Sequence, residues 1–566
     1  MAAEGQFVAG LAGIARAWAW RLCALIVLGT TGVLAADNPF LPAQDPAPLL
    51  AAIAKEKPDF APPTGVTGII VPHHLLAADL IARGFWAASA GHYKRIILIS
   101  PDHFRKVQKA FGTTREDLQT VFGKVPSDKT GVAALVAHYD LVQVLPTVNY
   151  EHGLMAEAPF IRHFFPDAEV IPLLGSINAT ETDWQEMLEL LKPLVTPDTL
   201  IVQSTDFSHY RPLAEAIARD QESIAMIEAE DPAGVVPLLQ PSHMDSKAAT
   251  YIQMALQHEV FGAHPVVIGN GNSVDYGTGA GSTTSYVVVA YVADAATGAS
   301  FDYPDQTKVT FGGDVLLGRY FLPALRDPAA WTRIRDAVLA LTRKVPLIVN
   351  LEGVLLDGPV TGVGPDAHVM NAEDAAPVLA ALSVKAASLA NNHANDLGPE
   401  GRVESAAQLR ALDIAPLEHG KVTDMGAFRL LALNFVGGKM VGDAIADPAK
   451  LDWVCGLKAA PPLVAFVHWG EEYTNAATEA ERNIAQTLAR CGVTLVVGDH
   501  SHQASTSIEP VNGGASQMVF SLGNFLFDQT SPRGSGALLE MRVFKQGTVA
   551  ARLVPIPNLF ELGRPN

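Results

Sequence analysis

The stretch Leu389-Ala390-Asn391-Asn392-His393-Ala394-Asn395-Asp396 places amide, imidazole and carboxylate side chains directly after the apolar run Ala386–Leu389. A short apolar run that ends in polar residues is typical of a strand buried on both faces of a sheet. Ligands of open α/β sheets bind just beyond the carboxyl ends of such strands. The stretch therefore predicts an α/β fold with a polar site at the edge of its sheet.

The same arrangement recurs through the C-terminal half of the chain. Five further strand candidates end in polar side chains: Asp314, then Asn350 and Glu352, then His468, then Asp499 with His500 and His502, and lastly Asn524. Helix capping by Asn and Asp explains any one such segment, but it does not easily explain six in the same position. Paired divalent ions need a bridging carboxylate, several imidazoles and an amide oxygen, so the pattern predicts a metal-binding hydrolytic site.

The His-x-His spacing and the nearby glycines support this interpretation. Residues two apart on a strand or extended loop point the same way, so His500 and His502 are expected to face one centre. Gly312, Gly313 and Gly498 precede the candidate ligands and allow the backbone to approach them closely.

The motifs of this half resemble those of a known family. They are Gly-Gly-Asp-Val-Leu-Leu-Gly-Arg (312–319), Asn-Leu-Glu-Gly (350–353), Ala-Asn-Asn-His-Ala-Asn-Asp (390–396), His-Trp-Gly-Glu-Glu (468–472) and Ser-Leu-Gly-Asn-Phe-Leu-Phe-Asp (521–528). Their order resembles the calcineurin-like metallophosphoesterases and, more closely, the CapA family of capsule and poly-γ-glutamate proteins, over about Lys308–Val554. In that family the segment before the last strand often reads His-His-Pro-His, whereas here it reads Asp499-His500-Ser501-His502.

The CapA resemblance implies a calcineurin-like α/β sandwich and a set of site residues. The implied metal ligands are Asp314, Glu352, Asn392, His393, His468, His500 and His502. Glu471 or Asp396 would move protons, and Arg319 would hold an anionic group. The metal would be a divalent ion such as Mn, Fe, Zn or Mg. The substrate would be an anionic envelope polymer or a phosphoester.

In the N-terminal half, strand candidates lead to histidines. Ile69–Val71 precedes His73 and His74, Ile96–Ser100 precedes His103, and Leu200–Gln203 precedes His209. Glu151 and His152 add a possible acid/base pair. A lone histidine at a strand end is more often structural than a ligand, but several together favour a functional site.

These segments resemble the Memo-like proteins of the AmmeMemoRadiSam system protein B type, relatives of the LigB-type class III extradiol dioxygenases, over about Val66–Val292. The family holds a metal-like triad of two histidines and one further residue, often cysteine. His73 or His74, with His73 preferred, and His103 match the histidines. Asp245 stands near the place of the cysteine, which gives a two-His-one-carboxylate set. Lys247 beside it raises the alternative that the site has lost its metal.

The chain divides into five predicted regions: a signal peptide or N-terminal anchor at 1–36, a proline-rich extended connector at 37–64, a Memo-like domain at 65–292, a linker at 293–307 and a CapA-like domain at 308–560. Arg16 and Arg21 precede the short apolar stretch Leu22–Ala36, as in a secretory leader. Membrane attachment is therefore expected only through this segment. Cys455 and Cys491, the cysteines beyond it, are either a disulfide or two free buried thiols.

The net charge of −19 argues against nucleic acid as a partner. Three interpretations remain. The leading one is an exported, envelope-associated or periplasmic hydrolase that depends on metal. The alternatives are a non-catalytic capsule assembly or export factor, and a metal-dependent oxidoreductase acting through the N-terminal domain.

Overall fold

The structure of the chain is a computed structural model that describes residues 45–358, 363–364, 366–438 and 444–564. The predicted leader and the first residues of the predicted connector lie outside the described residues. Among the residues that are described, no helix is both long and apolar enough to cross a membrane.

The N-terminal domain is built on one mixed sheet. Its strands are β1 (Val66–Val71), β2 (Arg95–Pro101), β3 (Phe111–Thr113), β4 (Leu118–Thr120), β5 (Gly123–Val125), β6 (Val142–Val144), β7 (Glu169–Gly175), β8 (Thr199–Ser204), β9 (His209–Arg211), β10 (His264–Asn272) and β11 (Thr283–Val292). The main sheet has the order β10-β11-β1-β8-β2-β7-β3-β6, with β9 beside β11, while β4 and β5 form a separate hairpin. Because β1, β8, β2 and β7 run parallel, their carboxyl ends share one edge.

Helices cover both faces of this sheet. They are α1 (Pro46–Lys55), α2 (Ala78–Ala88), α3 (Lys129–Val136), α4 (His152–Met155), α5 (Ala158–Phe164), α6 (Glu181–Leu191), α7 (Leu213–Glu228) and α8 (Lys247–Leu256). Apart from Thr67, Arg95 and Glu169, the residues of β1, β2, β7 and β8 are buried, which is typical of a parallel sheet covered on both sides.

The C-terminal domain contains two larger sheets. Its strands are β12 (Gln306–Val315), β13 (Leu347–Leu351), β14 (Val354–Leu356), β15 (Val369–Asn371), β16 (Val384–Ser388), β17 (Ala415–Leu417), β18 (Val422–Asp424), β19 (Arg429–Asn434), β20 (Leu463–His468), β21 (Val493–Asp499), β22 (Glu509–Val511), β23 (Ser516–Val519), β24 (Asn524–Leu526), β25 (Gly536–Phe544) and β26 (Val549–Ile556). One sheet has the order β17-β16-β13-β12-β25-β26, with β24 beside β12, and the other the order β18-β19-β20-β21-β23-β22.

The two sheets pack face to face with helices outside them. Phe311 and Ile348 of the first sheet share a buried cluster with Phe466 and Val497 of the second. The helices are α9 (Ala295–Gly298), α10 (Leu322–Arg326), α11 (Pro328–Thr342), α12 (Ala372–Ala381), α13 (Gly398–Ala411), α14 (Glu479–Arg490) and α15 (Leu559–Gly563). The predicted α/β sandwich is thus confirmed. A disulfide joins Cys455 to Cys491, which decides between the two alternatives for these cysteines.

One prediction about the connecting segments is wrong. The stretch 37–64 was expected to be extended, but residues 46–55 form α1, since Asp45 caps the helix and Pro46 occupies its first turn. The stretch 293–307 was expected to be an interdomain linker, and it does connect the two domains. Within it Phe301 and Tyr303 are buried and pack edge-to-face on Phe60, so they also complete the apolar core of the N-terminal domain.

Buried hydrogen bonds join the two domains. The Gln221 side chain of α7 bonds both the N–H and the carbonyl of Val549 on β26, at 2.8 and 2.9 Å. The Glu228 carboxylate accepts from the Ala551 N–H at 2.9 Å and from Gln517 Nε2 at 2.8 Å. Since an unpaired buried polar group costs about 1–3 kcal/mol, these pairs favour one docking geometry.

Glu228→Gln should flatten the pH dependence of stability. Burial raises the pKa of Glu228 from 4.5 to about 8. A carboxyl group with a raised native pKa keeps its proton in the folded chain, so stability falls as the pH rises between those two values. Denaturant unfolding over this pH range should show a smaller decline in the variant. Asp220, whose pKa burial raises to about 7, keeps some of the slope. The exposed Glu186→Gln is the control, and an unchanged slope in Glu228→Gln contradicts the assignment.

Candidate metal centres

The carboxyl ends of strands from both C-terminal sheets meet at one place. Asp314 is the second-last residue of β12, Glu352 follows β13, and Asn392 and His393 follow β16. From the opposite sheet, His468 is the last residue of β20, and His500 and His502 follow β21. The structure therefore brings together all seven ligands that the CapA resemblance implied, and all of them are buried except Asn392 and His393, which are half-buried.

Asp314 lies at the centre of this group. One of its oxygens, Oδ1, accepts a hydrogen bond from Asn350 Nδ2 at 2.9 Å, and the other, Oδ2, is 3.1 Å from His502 Nδ1. Asn350 is itself held by Asn391, whose Nδ2 donates to Asn350 Oδ1 at 3.0 Å. The amide chain thus orients the carboxylate toward the histidines.

His468 bridges the two sheets. Its Nδ1 is 2.6 Å from Asp499 Oδ1, and its Nε2 is 2.9 Å from Asn392 Oδ1. Asp499 therefore belongs to the site. The sequence comparison had marked it as a departure from the CapA pattern, and it now stands as a buried acid next to a predicted ligand.

The Asp396 carboxylate sets the orientation of the His393 ring. The carboxylate Oδ2 of Asp396 is 2.8 Å from His393 Nδ1, which leaves Nε2 directed toward Glu352 Oε1 at 3.9 Å. A carboxylate behind a histidine sets its tautomer and orientation for metal binding. The structure therefore favours an orienting role for Asp396 over the proton-transfer role that the sequence suggested.

The loop after β21 is not extended. His500 and His502 have φ angles of +94° and +59°, in the left-handed region that non-glycine residues rarely adopt. Strand alternation is therefore the wrong reason for their convergence. A strained turn delivers both, His500 toward His468 with ring centroids 4.6 Å apart and His502 toward Asp314.

Two glycines permit the close backbone contacts that the sequence predicted. A Cβ at Gly313 would lie 1.9 Å from the Gly523 carbonyl oxygen, and one at Gly498 would lie 1.8 Å from the Phe520 carbonyl oxygen. A larger residue at Gly313 would push the strand of Asp314 away from Gly523, and one at Gly498 would push the strand of Asp499 away from Phe520.

The buried acids of the site repel one another. Burial and the charge of Asp314 raise the pKa of both Glu352 and Asp499 well above the usual range. Burial and neighbouring imidazoles lower the pKa of His468, and burial lowers that of His500 to about 4. Although burial opposes it, contact with Asp314 raises the pKa of His502. Clustered carboxylates beside mostly neutral imidazoles are the electrostatic setting that a divalent cation stabilises.

The residues present fit a metal. Glu352 Oε2 and His500 Nδ1 are buried and lack a hydrogen-bond partner within the described part of the chain, and the buried Asp314 Oδ2 has only its 3.1 Å contact with His502. Ligand atoms of Asp314, His468 and Asp499 lie within 4.8 Å of one another, as do those of Glu352, His468 and His500. Unsatisfied buried acceptors are costly in a protein, so their convergence points to a cation.

A cavity of about 320 Å³ opens onto the site. Asn392, His393 and His502 form its floor, and Arg319 and Glu472 line its wall. Arg319 is paired with Asp528 through two hydrogen bonds of 2.7 and 3.1 Å. Glu471, which the sequence suggested as an acid, is exposed and absent from the lining, so the structure favours its neighbour Glu472.

Sequence reasoning missed His368. This buried histidine lines the same cavity and stacks on His393, with ring centroids 3.6 Å apart. Burial, then the charge of His393, lowers its pKa to about 2. It lies before a three-residue strand and outside every quoted motif, so the sequence held no signal for it.

A second cluster lies at the edge of the N-terminal sheet. Asp245 Oδ2 is 3.0 Å from His73 Nε2 and 3.4 Å from His103 Nε2, so the three predicted residues converge. His103 Nδ1 is held by Glu151 Oε1 at 2.6 Å. Asp245 Oδ1 is buried with no hydrogen-bond partner among the described residues.

The surroundings of this cluster show which of the two adjacent histidines faces Asp245 and where the Lys247 ammonium lies. His74 lies against Tyr286, whose hydroxyl is 2.8 Å from His74 Nδ1, whereas His73 faces Asp245. The Lys247 ammonium donates to the Val236 carbonyl oxygen and lies over the Trp184 ring, so it is not paired with Asp245. His152 and Asp206 also join the cluster, since their ligand atoms lie within 4.8 Å of those of His73 and a third member.

Comparison with known families matches both halves of the chain. The family described as Memo-like protein matches residues 44–292. The family described as bacterial capsule synthesis protein PGA_cap matches residues 308–427 and 443–529. The chain joins a Memo-like domain to a PGA_cap domain. The resemblances seen in the motifs are thereby confirmed.

Individual relatives match one domain each. The PGA biosynthesis protein CapA of Bacillus subtilis is 26% identical over 282 residues, which are 44% of this chain and 72% of that protein. The capsule biosynthesis protein CapA of Bacillus anthracis is also 26% identical, over 44% of this chain and 67% of that protein. A MEMO1 family protein of Saccharolobus solfataricus is 22% identical over 30% of this chain and 63% of its own length. A solved structure of a hypothetical protein from Thermus thermophilus matches with 18% identity and a TM-score of 0.28, over 44% of this chain and all of that one.

Asp396→Ala should weaken metal binding without removing a predicted ligand. Losing the carboxylate behind His393 lets its imidazole rotate, and such orienting partners change metal affinity by about 10–100-fold. Titration of the full chain with Mn²⁺, followed by electron paramagnetic resonance, should show one class of sites weakened. Asp413→Ala, whose side chain is 95% exposed, is the control. Equal affinities in the two variants contradict the orienting role.

Proposed function

We propose that the PGA_cap domain is a metal-dependent hydrolase of the cell envelope, acting on an anionic polymer of capsule or poly-γ-glutamate type or on a related phosphoester. The observation that carries the proposal is the convergence of Asp314, Glu352, the buried His468, His500 and His502 and the half-buried His393 beneath an open cavity. The relatives named for capsule and PGA biosynthesis supply the substrate class. A structural metal alone would not require an accessible cavity.

The ligand set is suited to divalent cations. Asp314, His468 and Asp499 would hold one position, and Glu352 links them to His500 and His393. Bound there, divalent ions supply an activated water and neutralise the charge that develops on the attacked group. Such a centre serves both phosphoesters and amides, so the cavity walls select the substrate.

The cavity walls supply the remaining chemistry. Arg319 uses Nε and Nη2 on Asp528, which fixes the guanidinium plane and leaves Nη1 to bind an anionic group of the substrate. Glu472 stands at the wall next to Tyr473 and is placed to take or return a proton. The aromatic rings of Tyr473 and Phe527 line the cavity and would flank the polymer chain there, which limits the access of bulk water and leaves the metal-activated water to attack.

Export is part of the proposal. The disulfide between Cys455 and Cys491 fits an oxidising compartment outside the cytoplasm, because such bonds are rare where thiols are kept reduced. Arg16, Arg21 and the apolar stretch after them form the candidate leader. N-terminal sequencing of the secreted chain tests this directly, since a start near residue 37 supports cleavage and a start at residue 1 contradicts it.

His500→Ala should abolish turnover and reduce bound metal. The variant removes a buried imidazole that groups with Glu352 and His468, so the remaining ligands no longer enclose the cation. The full chain should be loaded with Mn²⁺ and assayed on bis-p-nitrophenyl phosphate and on poly-γ-glutamate, with metal content measured by elemental analysis. The exposed His138→Ala is the control.

The outcomes separate the proposal from its rival. Turnover of either substrate by the wild type and its loss in His500→Ala support a hydrolase. Metal retained by the wild type with no turnover of either substrate contradicts it and favours a non-catalytic assembly factor.

For the Memo-like domain we propose a separate divalent cation site, held by His73, His103 and Asp245. Two imidazoles and a carboxylate suit iron or another first-row ion. The specific support is the buried Asp245 Oδ1, which lacks a partner in the described residues, and the placement of Lys247 away from it.

Asp245→Ala should remove this cation and leave the PGA_cap centre loaded. The metal content of the full chain should fall by about one ion, with turnover in the PGA_cap assay unchanged. Asp231→Ala, at the start of an exposed turn, is the control. A metal content equal to the wild type contradicts the assignment.

A further inference from the structure

His368 is held in place by the backbone around it. It directly precedes β15, which pairs with β14 immediately after Glu352. Its carbonyl oxygen accepts from the Val354 N–H at 2.8 Å, and its own N–H donates to Asp396 Oδ2 at 2.7 Å. The position of the ring is therefore set by the same strand pair that places Glu352.

The Asp396 carboxylate contacts both the backbone of His368 and the ring of His393. The Asp396 oxygen that accepts from the His368 N–H also contacts His393 Nδ1 at 2.8 Å. The two rings stack at an interplanar angle of 14°. Asp396 thereby couples the position of His368 to that of a predicted metal ligand.

The His368 ring has an unsatisfied nitrogen. His368 is only 7% exposed, and its Nδ1 has no hydrogen-bond partner among the described residues. A ring present only for packing against His393 and Phe527 would be better served by an apolar side chain, because an unpaired buried nitrogen costs free energy. The orphan nitrogen therefore indicates a ligand.

The geometry supplies two partners for that ligand. Ligand atoms of Glu352, His368 and His393 all lie within 4.8 Å of one another. Metal–nitrogen and metal–oxygen bonds of about 2.0–2.2 Å place opposite ligand atoms about 4.2 Å apart, so a small closing movement would let all three bind one ion.

We infer that His368 is a direct ligand of a divalent cation that Glu352 and His393 also hold. This inference rests on the proposed metal-dependent function of the domain and adds a ligand that lies outside its sequence motifs. Glu352 also groups with His468 and His500, so it is shared between this position and the deeper one around Asp314. His368 lines the cavity, so this cation is the one that faces the substrate.

His368→Phe tests the inference while keeping the stack on His393 and the contact with Phe527. The full chain should be titrated with Mn²⁺ and its bound metal measured by elemental analysis after removal of excess ion. Bound Mn²⁺ should fall by about one ion per chain, because one of two paired positions loses a ligand. His138→Phe, the same change at an exposed histidine, is the matched control.

His393→Ala in the same titration separates this inference from the proposed function. Loss of metal in His393→Ala with wild-type content in His368→Phe overturns the role of His368 alone. Wild-type content in both variants overturns the position shared by Glu352, His368 and His393, whereas wild-type content in His500→Ala overturns the deeper metal centre. Thermal melting establishes that each variant is folded.

A second measurement does not depend on a variant. Crystals of the wild-type chain soaked in Mn²⁺ should show an anomalous scattering peak about 2.0–2.2 Å from a ring nitrogen of His368. Peaks at the deeper ligands with none beside His368 overturn the inference.

Discussion

The arrangement of the PGA_cap domain depends on mutual repulsion between buried acids. Asp314, Glu352 and Asp499 reach one point from three strands, and burial together with the charge of Asp314 raises the pKa of the other two. Three buried carboxylates so close together destabilise the folded chain unless they are protonated or a cation neutralises their charge. Three features hold this cluster together. Glycines let β12 and β21 approach the segments next to β24 and β23, the backbone at His500 is strained, and hydrogen bonds through Asn350 orient Asp314.

The sequence predicted the strands and their ends well, because both depend on local pattern. Runs such as Glu169–Gly175 and Leu463–Val467 are too apolar to lie anywhere but inside a sheet, and the residues after them then share an edge. This rule placed polar residues of the C-terminal strands, and His73 and His103 of the N-terminal ones, at the sheet edges, whereas the choice of ligands among them, and of Asp245, came from the family resemblances. The rule does not fix positions within a turn, which is why Glu471 was expected in the site whereas its neighbour Glu472 lines the cavity.

What the sequence did not predict depends on tertiary contact. His368 has no motif, and its role follows from the pairing of β14 with β15, which each contain only three residues. The stretch 293–307 is polar and small in composition, yet Phe301 and Tyr303 within it complete a core whose other members lie far away in the chain. Asp396 was one of two candidates for moving protons, but its contacts with the His368 N–H and with His393 Nδ1 favour an orienting role. Local composition does not encode such distant partners.

The buried hydrogen bonds between the two domains affect how the chain folds while it is being synthesised. The surface of α7 that carries Gln221 and Glu228 is synthesised before its partners Val549 and Ala551 on β26, which follow 328 and 323 residues later in the chain. At usual elongation speeds the intervening chain takes on the order of tens of seconds to appear, so the nascent N-terminal half waits that long with this polar face uncovered. A premature stop before β25 would leave the face permanently bare, and a truncated product would be a natural target for quality-control proteases.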